Sequence, residues 1–328
     1  MATYKDIHGF KIQNVSSDPP TSVAGDLWYN STSGDLKVNL GTPVGAWSTG
    51  GSMNNSHLPA SAGGGTQTAA IIYGGDNRPT GATNSVNTEI YDGSSWTEVN
   101  NLNTGRYNSA GCGSTTSALN ISGAQANPSN PLTNVESWNG SNWTEITDVN
   151  VYREWAGAAG ANNTAAIFFG GEPATAATEL WNGSNWTEVN DLPSTVRFIG
   201  GVGTSTAAIA AGGISAPGSY SETDIWNGTN WTEVADLNTG RYGLGVGGTS
   251  TSSIAFGGTV PPYTAKAESW NGSNWTEVAD LSAAKTYVGQ AGASNSSALA
   301  AGGFAPGLTK KETEEWNITG GVSTIDAS

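Results

Sequence analysis

Cysteine occurs once in the 328 residues, at Cys112, and histidine only twice, at His8 and His57. A disulfide framework and a multi-Cys zinc site are thereby excluded, and a multi-His metal centre cannot be assembled. Lysine and arginine number 12 against 27 acids, a formal net charge of −15. That balance argues against a basic nucleic-acid-binding face. No run is long and apolar enough for a helical membrane span, and the stretch from Met1 to Phe10 has no apolar core of a secretory leader. Helical periodicity of useful length is missing as well. Charged residues are only 12% of the chain, while Gly, Ser, Thr, Asn and Ala abound. The expected surface is neutral and rich in hydroxyls and amides, as on secreted, virion and carbohydrate-facing proteins.

What is present is a repeat. Trp-Asn-Gly-Ser-Asn-Trp-Thr-Glu-Val stands at Trp181 to Val189 and at Trp270 to Val278, with near-copies at Tyr91 to Val99, Trp138 to Ile146 and Trp226 to Val234. Its second aromatic falls at Trp96, Trp143, Trp186, Trp231 and Trp275, so subtraction gives spacings of 47, 43, 45 and 44 residues. A period of that size is of propeller length. Each unit divides into four short runs: a small-residue run after a basic residue, an Ala/Ile/Phe run ending in Gly-Gly, a run with an acid and an aromatic, and Trp-Thr-Glu-Val. Ser122-Gly123 is the degenerate Gly-Gly. Asn-Gly or Asp-Gly between runs three and four predicts an antiparallel hairpin on a two-residue turn with positive φ at both positions. The same Asn formally matches a glycosylation sequon, and turn geometry accounts for it better.

Six third-run aromatics (Tyr91, Trp138, Trp181, Trp226, Trp270, Trp316) are followed by only five complete fourth runs. The missing strand has a candidate at Gly45-Ala-Trp47-Ser-Thr, which predicts that Trp47 completes the sixth unit and that the ring closes by pairing early with late sequence. Gly-Gly, an acid-aromatic strand, a Trp strand and then Arg before a small-residue strand resemble the Kelch repeat of six-bladed β-propellers, over roughly residues 45 to 317. The resemblance implies an all-β, six-bladed Kelch-like propeller closed by an amino-terminal strand and preceded by a small β-hairpin. The expected division is residues 1–44 as an anchoring or oligomerising segment and 45–328 as the propeller. Fold alone does not assign function, since Kelch propellers serve as enzymes, adaptors and surface binders.

The unrepeated start reads as a hairpin: Leu27, Trp28 and Tyr29 against Leu36 and Val38, across a polar Asn-Ser-Thr-Ser-Gly turn. Ser17-Asp-Pro-Pro20 before it is a turn or extended linker. Gly25, Leu27 to Thr32, Gly34, Leu36 and Lys37 resemble a segment of bacteriophage tail-fibre and other virion structural proteins. What this implies is attachment to other virion proteins through residues 1–44, in a homo-oligomeric assembly on a virion built in the host cytoplasm and exposed outside.

For chemistry there is little material. His57 has no nucleophile-elbow motif near it, a copper-oxidase constellation of Cys, Tyr and His cannot form, and Cys112 in a glycine-rich run reads as a packed, inert thiol. No metal, cofactor or catalytic residue is expected. The basic series His57, Arg106, Arg153, Arg197, Arg241 and Lys285 is expected once per blade at one mouth of the channel. It either gathers an anionic ligand or, as we favour, pairs with Glu89, Glu136, Glu179, Asp224, Glu268 and Glu314. A second acid series, Glu98, Glu145, Glu188, Glu233 and Glu277, reads as a solvated face. Variation among units concentrates in the loops after run two, where Tyr220, Pro261, Pro262, Tyr263 and Phe304 form a candidate binding rim for a host-surface glycan or protein. The leading expectation is a non-enzymatic phage virion component, a tail fibre, tail-associated or decoration protein for host attachment. The alternatives are a bacterial extracellular propeller that binds carbohydrate or builds an assembly, and a sugar-acting propeller enzyme.

Overall fold

The computed structural model describes residues 12–19, 25–39, 44–57, 62–75, 84–126, 129–215, 218–305, 311–319 and 322–324. Among them every regular element is a strand, and the architecture is all-β, with many small antiparallel four-stranded sheets, consistent with a β-propeller. The chain divides into two compact units, Met1–Ala46 with Ile318–Ser328, and Trp47–Asn317. Within the first of these units Val322–Thr324 pairs antiparallel with Asp35–Asn39.

In the repeat region the third sheet is representative: Gly157–Asn162, Ala165–Phe169, Thr178–Trp181 and Trp186–Val189, in sequence order and antiparallel throughout. Ala165–Phe169 is a continuous small-to-apolar run because the strand is covered on both faces, as the burial of Ala166, Ile167, Phe168 and Phe169 shows. The core lies between neighbouring sheets. Phe169 and Ile167 of the third pack with Ala208, Ala210, Trp226 and Trp231 of the fourth, and Phe169 meets Trp231 edge-on with ring centroids 4.8 Å apart. At particular glycines the first strands approach one another so closely that a side chain is excluded. A Cβ on Gly64 would stand 2.7 Å from the Gly113 carbonyl oxygen of the next sheet, and one on Gly247 2.8 Å from that of Ala291.

The expected two-residue hairpin turn is replaced by a four-residue loop. Trp181 pairs with Trp186, the Asn182 amide donates to the Asn185 carbonyl, and of the two positions only Gly183 has positive φ, 91°. Asn182 Oδ1 accepts the amides of Ser184 and Asn185, each at 2.9 Å. The asparagine thus folds the loop by bonding its own backbone, the Asx mechanism, and the same bonds recur at Asn139, Asn227 and Asn271. Ser122 keeps the left-handed conformation of the Gly-Gly turns at φ 57°, with its hydroxyl bonded to the Leu132 carbonyl at 2.8 Å.

The sixth such sheet is built from Gly289–Ser294, Ser297–Ala301, Thr313–Thr319 and Val44–Thr49. Its first strand lies against Ala62–Thr66, the first strand of the first sheet. Fourth-strand indoles stitch each sheet to the preceding one. Trp143 donates to Thr88 Oγ1 at 3.0 Å, Trp231 to Thr178 Oγ1 at 3.1 Å and Trp275 to Thr223 Oγ1 at 2.9 Å. Trp186 and Trp47 reach the backbone carbonyls of Thr147 and Ala279. Trp96 of the first sheet bonds Thr313 Oγ1 of the sixth at 2.9 Å.

In the other unit, Leu27–Asn30 pairs antiparallel with Asp35–Asn39 and parallel with Gln13–Val15. Trp28 is buried, Leu27, Leu36 and Val38 are half-buried, and Tyr29 is exposed. Asp18 gathers the hairpin: its carboxylate accepts from Trp28 Nε1 at 3.0 Å, Asn30 Nδ2 at 2.9 Å and Lys37 Nζ at 3.3 Å. The Asn30 amide first and the Trp28 indole second hold that carboxyl below the usual range.

Candidate functional site

The basic residues sit in the segments that lead into the first strands, and the acids on the third strands beside them. Five of the six expected pairs form. Arg106 meets Glu136 at 2.7 Å, Arg153 meets Glu179 at 2.6 Å, Arg241 meets Glu268 at 2.5 Å and Lys285 meets Glu314 at 2.6 Å. His57 presents Nε2 to Glu89 at 3.2 Å and Nδ1 to the Gly74 carbonyl at 2.8 Å. All ten side chains are buried, so this series does not offer cations to an anionic ligand. The second carboxylate oxygen takes amide donors from the residue three before the cation. Asn103 gives Glu136 both its backbone and its side-chain N–H, and Asn54, Asn150 and Asn238 do the same for Glu89, Glu179 and Glu268. Burial pulls the Arg153 guanidinium below its ordinary value, while Glu179 works in the opposite direction.

Arg197 does not join this series. Its place is taken by Val196, whose carbonyl accepts the Gly171 amide as those of Arg106, Arg153, Arg241 and Lys285 accept the amides of Gly75, Gly123, Gly213 and Gly258. Arg197 stands one residue later, half-exposed, and pairs with Glu172 at 2.5 Å. Pro193, which has no N–H, stands where the other units carry Asn103, Asn150 or Asn238. The fourth sheet has thus lost both the cation and the amide donor, and Asp224, 4% exposed, has Oδ1 without a partner. Burial first, then Glu222, Glu233 and Asp236, push this carboxyl up to about 7. An unfolded aspartate titrates near ~3.9, so between that value and about 7 the folded state holds the extra proton. Stability from this group therefore falls as pH rises through that window and stays flat above it. Asp224→Asn is expected to raise stability by about 1–3 kcal/mol at pH 8 and to leave it unchanged near pH 4. Thermal melts of both proteins across that range check it, and an equal shift at both ends contradicts it.

Two residues after five of the six cation positions, all those described, the backbone turns left-handed: Asn108 φ 56°, Trp155 52°, Phe198 56°, Gly243 62° and Tyr287 54°. These residues are linked head to tail across sheets. The Trp155 amide donates to Asn108 O at 3.0 Å, Phe198 to Trp155 O at 2.8 Å, Gly243 to Phe198 O at 3.0 Å and Tyr287 to Gly243 O at 2.7 Å. The ladder holds bulky side chains in a conformation that costs about 1–3 kcal/mol each. Trp155 stacks on Phe198 at 4.2 Å, and Tyr242 and Tyr287 approach Phe198 at 5.6 and 5.7 Å. Trp155, Phe198 and Tyr287, together with Ser109 and Gln290, line a cavity of about 90 Å³. Gln290 also borders a second cavity of about 360 Å³ lying among the first strands of all six sheets. Its carboxamide bridges two of those strands, accepting from the Val246 amide at 2.6 Å and donating to Gly201 O at 3.0 Å.

Of the sequence-predicted rim, Tyr263 and Phe304 come together edge-on at 5.8 Å, and Pro261 and Pro262 are exposed beside them. Tyr220 stands apart, packed on the core between the third and fourth sheets with its hydroxyl on Glu222. Residues 76–83, 127–128, 216–217 and 306–310 of the variable loops lie outside the described residues. Glu98, Glu145, Glu188, Glu233 and Glu277 are exposed. Cys112 is buried, and burial pushes its thiol up to about 12, which keeps it unreactive. The sequence pattern hides the aromatic cluster as long as Arg197 is aligned with the cations. With Val196 in that place, Arg153-x-Trp155, Val196-x-Phe198 and Lys285-x-Tyr287 fall into one register.

No family model matches the chain, and no curated protein matches it.

Proposed function

We propose that this chain is a non-enzymatic structural protein of a bacteriophage virion, a tail fibre, tail-associated or decoration protein that displays a propeller for host-surface attachment. In this reading the six repeat sheets are the blades of a Kelch-like propeller, closed where the Trp47 strand joins the sixth sheet. The observation that carries it is the unrepeated hairpin of Leu27–Asn30 and Asp35–Asn39, whose sequence resembles phage virion segments. Asp18 ties that hairpin into one motif by bonding Trp28, Asn30 and Lys37. A hairpin by itself is marginal in water, and an element so fastened suits attachment to other virion proteins and to further copies of the chain. The repeats supply a rigid scaffold, on which loops and turns carry recognition.

A chain lacking residues 1–40 is expected to retain the cooperative melting of the repeat region and to be absent from purified particles assembled in its presence. Normal incorporation of that truncated chain removes the anchoring role. Turnover of a sugar substrate that is lost on one acidic substitution would instead establish the enzyme reading.

A further inference from the structure

We propose that the cavity edged by Trp155, Phe198 and Tyr287 is a binding site for a neutral pyranose of a surface glycan. The proposal rests on the host-attachment reading and adds to it a ligand class and a place distinct from the Tyr263 and Phe304 rim.

Strain is the first observation. Glycine adopts positive φ freely, and Gly243 fills this turn in the fifth sheet. Trp155, Phe198 and Tyr287 hold the same conformation against their Cβ atoms, although glycine would make the same backbone turn without that strain. What the three residues add is a half-buried aromatic surface at one edge of a cavity. Strain of this kind gathers at ligand sites, where the surrounding structure enforces it.

Unpartnered polar atoms are the second observation. Ser109, 7% exposed, lines the cavity with its Oγ unbonded, and neighbouring Asn108, 1% exposed, has Oδ1 unbonded while its Nδ2 is spent on Glu154 Oε2 at 2.8 Å. A buried polar atom left in that state costs about 1–3 kcal/mol, which a ligand hydroxyl would recover. The ligand must therefore offer apolar C–H faces to rings and a hydroxyl to the Ser109 side chain, and a pyranose does both. Charge decides against an anionic sugar. The buried cations are paired with carboxylates, Arg197 is paired with Glu172, and Glu154 accepts from Asn108.

The test is saturation-transfer NMR on the full-length protein with a panel of glucose, galactose, N-acetylglucosamine and N-acetylgalactosamine, with inorganic phosphate as the anionic comparison. At least one sugar is expected to bind at millimolar concentration, and phosphate is not. Trp155→Gly and Tyr287→Gly exchange aromatic packing on Phe198 for a relaxed backbone, so each is expected to stay folded, melting within about 5 °C of the parent, and to bind that sugar at least about tenfold more weakly. Ser109→Ala should weaken it about three- to tenfold. Silence from all four sugars overturns the proposal, and so does transfer that survives both glycine variants. If a sugar binds here but the protein is absent from virions, the site stands and the virion reading fails. If the protein is in virions and no sugar binds, the reverse holds.

Discussion

Deleting residues 45–49 is expected to lower the melting temperature by roughly 10 °C or more, the largest change for any short deletion outside the repeats. The segment is the fourth strand of the sixth sheet, and Trp47 is its anchor. The indole lies 5.1 Å from the ring of Phe256 and 5.5 Å from that of Trp316, and its Nε1 donates to Ala279 O at 3.0 Å. Removing the strand leaves the edge of Thr313–Thr319 unpaired and uncovers Phe256 and Trp316, both fully buried in the intact protein. Truncating a large aromatic in such a place costs about 3–5 kcal/mol, and the lost ladder adds to it. Trp47→Ala is expected to account for about half of the effect. Differential scanning calorimetry of the three proteins is the measurement. Melting unchanged by the deletion would sink the proposed closure of the ring of sheets by this strand.

Arg153→Gln is expected to cost about 3–5 kcal/mol. The guanidinium donates to Glu179 Oε1 and to the carbonyls of Ala177 and Gly170, at 2.6, 2.6 and 3.2 Å, and lies 4.1 Å above the Phe168 ring. Without it Glu179, 3% exposed, is a buried carboxylate facing a shortened neutral amide. The penalty is mostly that orphaned charge, so Arg153→Met combined with Glu179→Gln is expected to recover about half of it. Val196→Ala, at the corresponding place in the fourth sheet, removes only apolar contact and is expected to cost about 0.5–1.5 kcal/mol. Denaturant unfolding of the three variants beside the parent checks the ordering. Equal losses at Arg153 and Val196 would show that the position is ordinary packing and that the ion pair adds nothing.

Much of the site is legible in the chain, because both partners of the ion pairs recur with the repeat. Arg106 and Glu136, Arg241 and Glu268, and Lys285 and Glu314 can be matched by counting within a unit. The fourth unit breaks the count. Pro193 and Val196 replace the donor and the cation together, and Arg197, one residue on, draws the alignment to itself. Composition cannot separate an arginine that enters the core from one that leaves it one residue later. The backbone can, because the left-handed turn at Phe198 and the Gly171 bond to Val196 mark the register. Likewise Asn-Gly announces a tight connection, but whether the asparagine turns by its own φ or by its side-chain oxygen depends on how far apart Trp181 and Trp186 pair.

The amino-acid sequence by itself determined the strands, their order within each repeat, the pairing of most of the recurring charges and the presence of an unrepeated hairpin. Each of these follows from short-range rules: apolar periodicity, turn residues and the need of a buried charge for its opposite. Only the tertiary structure decided that Val322–Thr324 pairs with the hairpin unit, that Asp224 is left without a cation, and that Trp155, Phe198 and Tyr287 meet at one cavity. Those outcomes depend on contacts between residues some 30 to 290 positions apart in the chain, which no local pattern encodes.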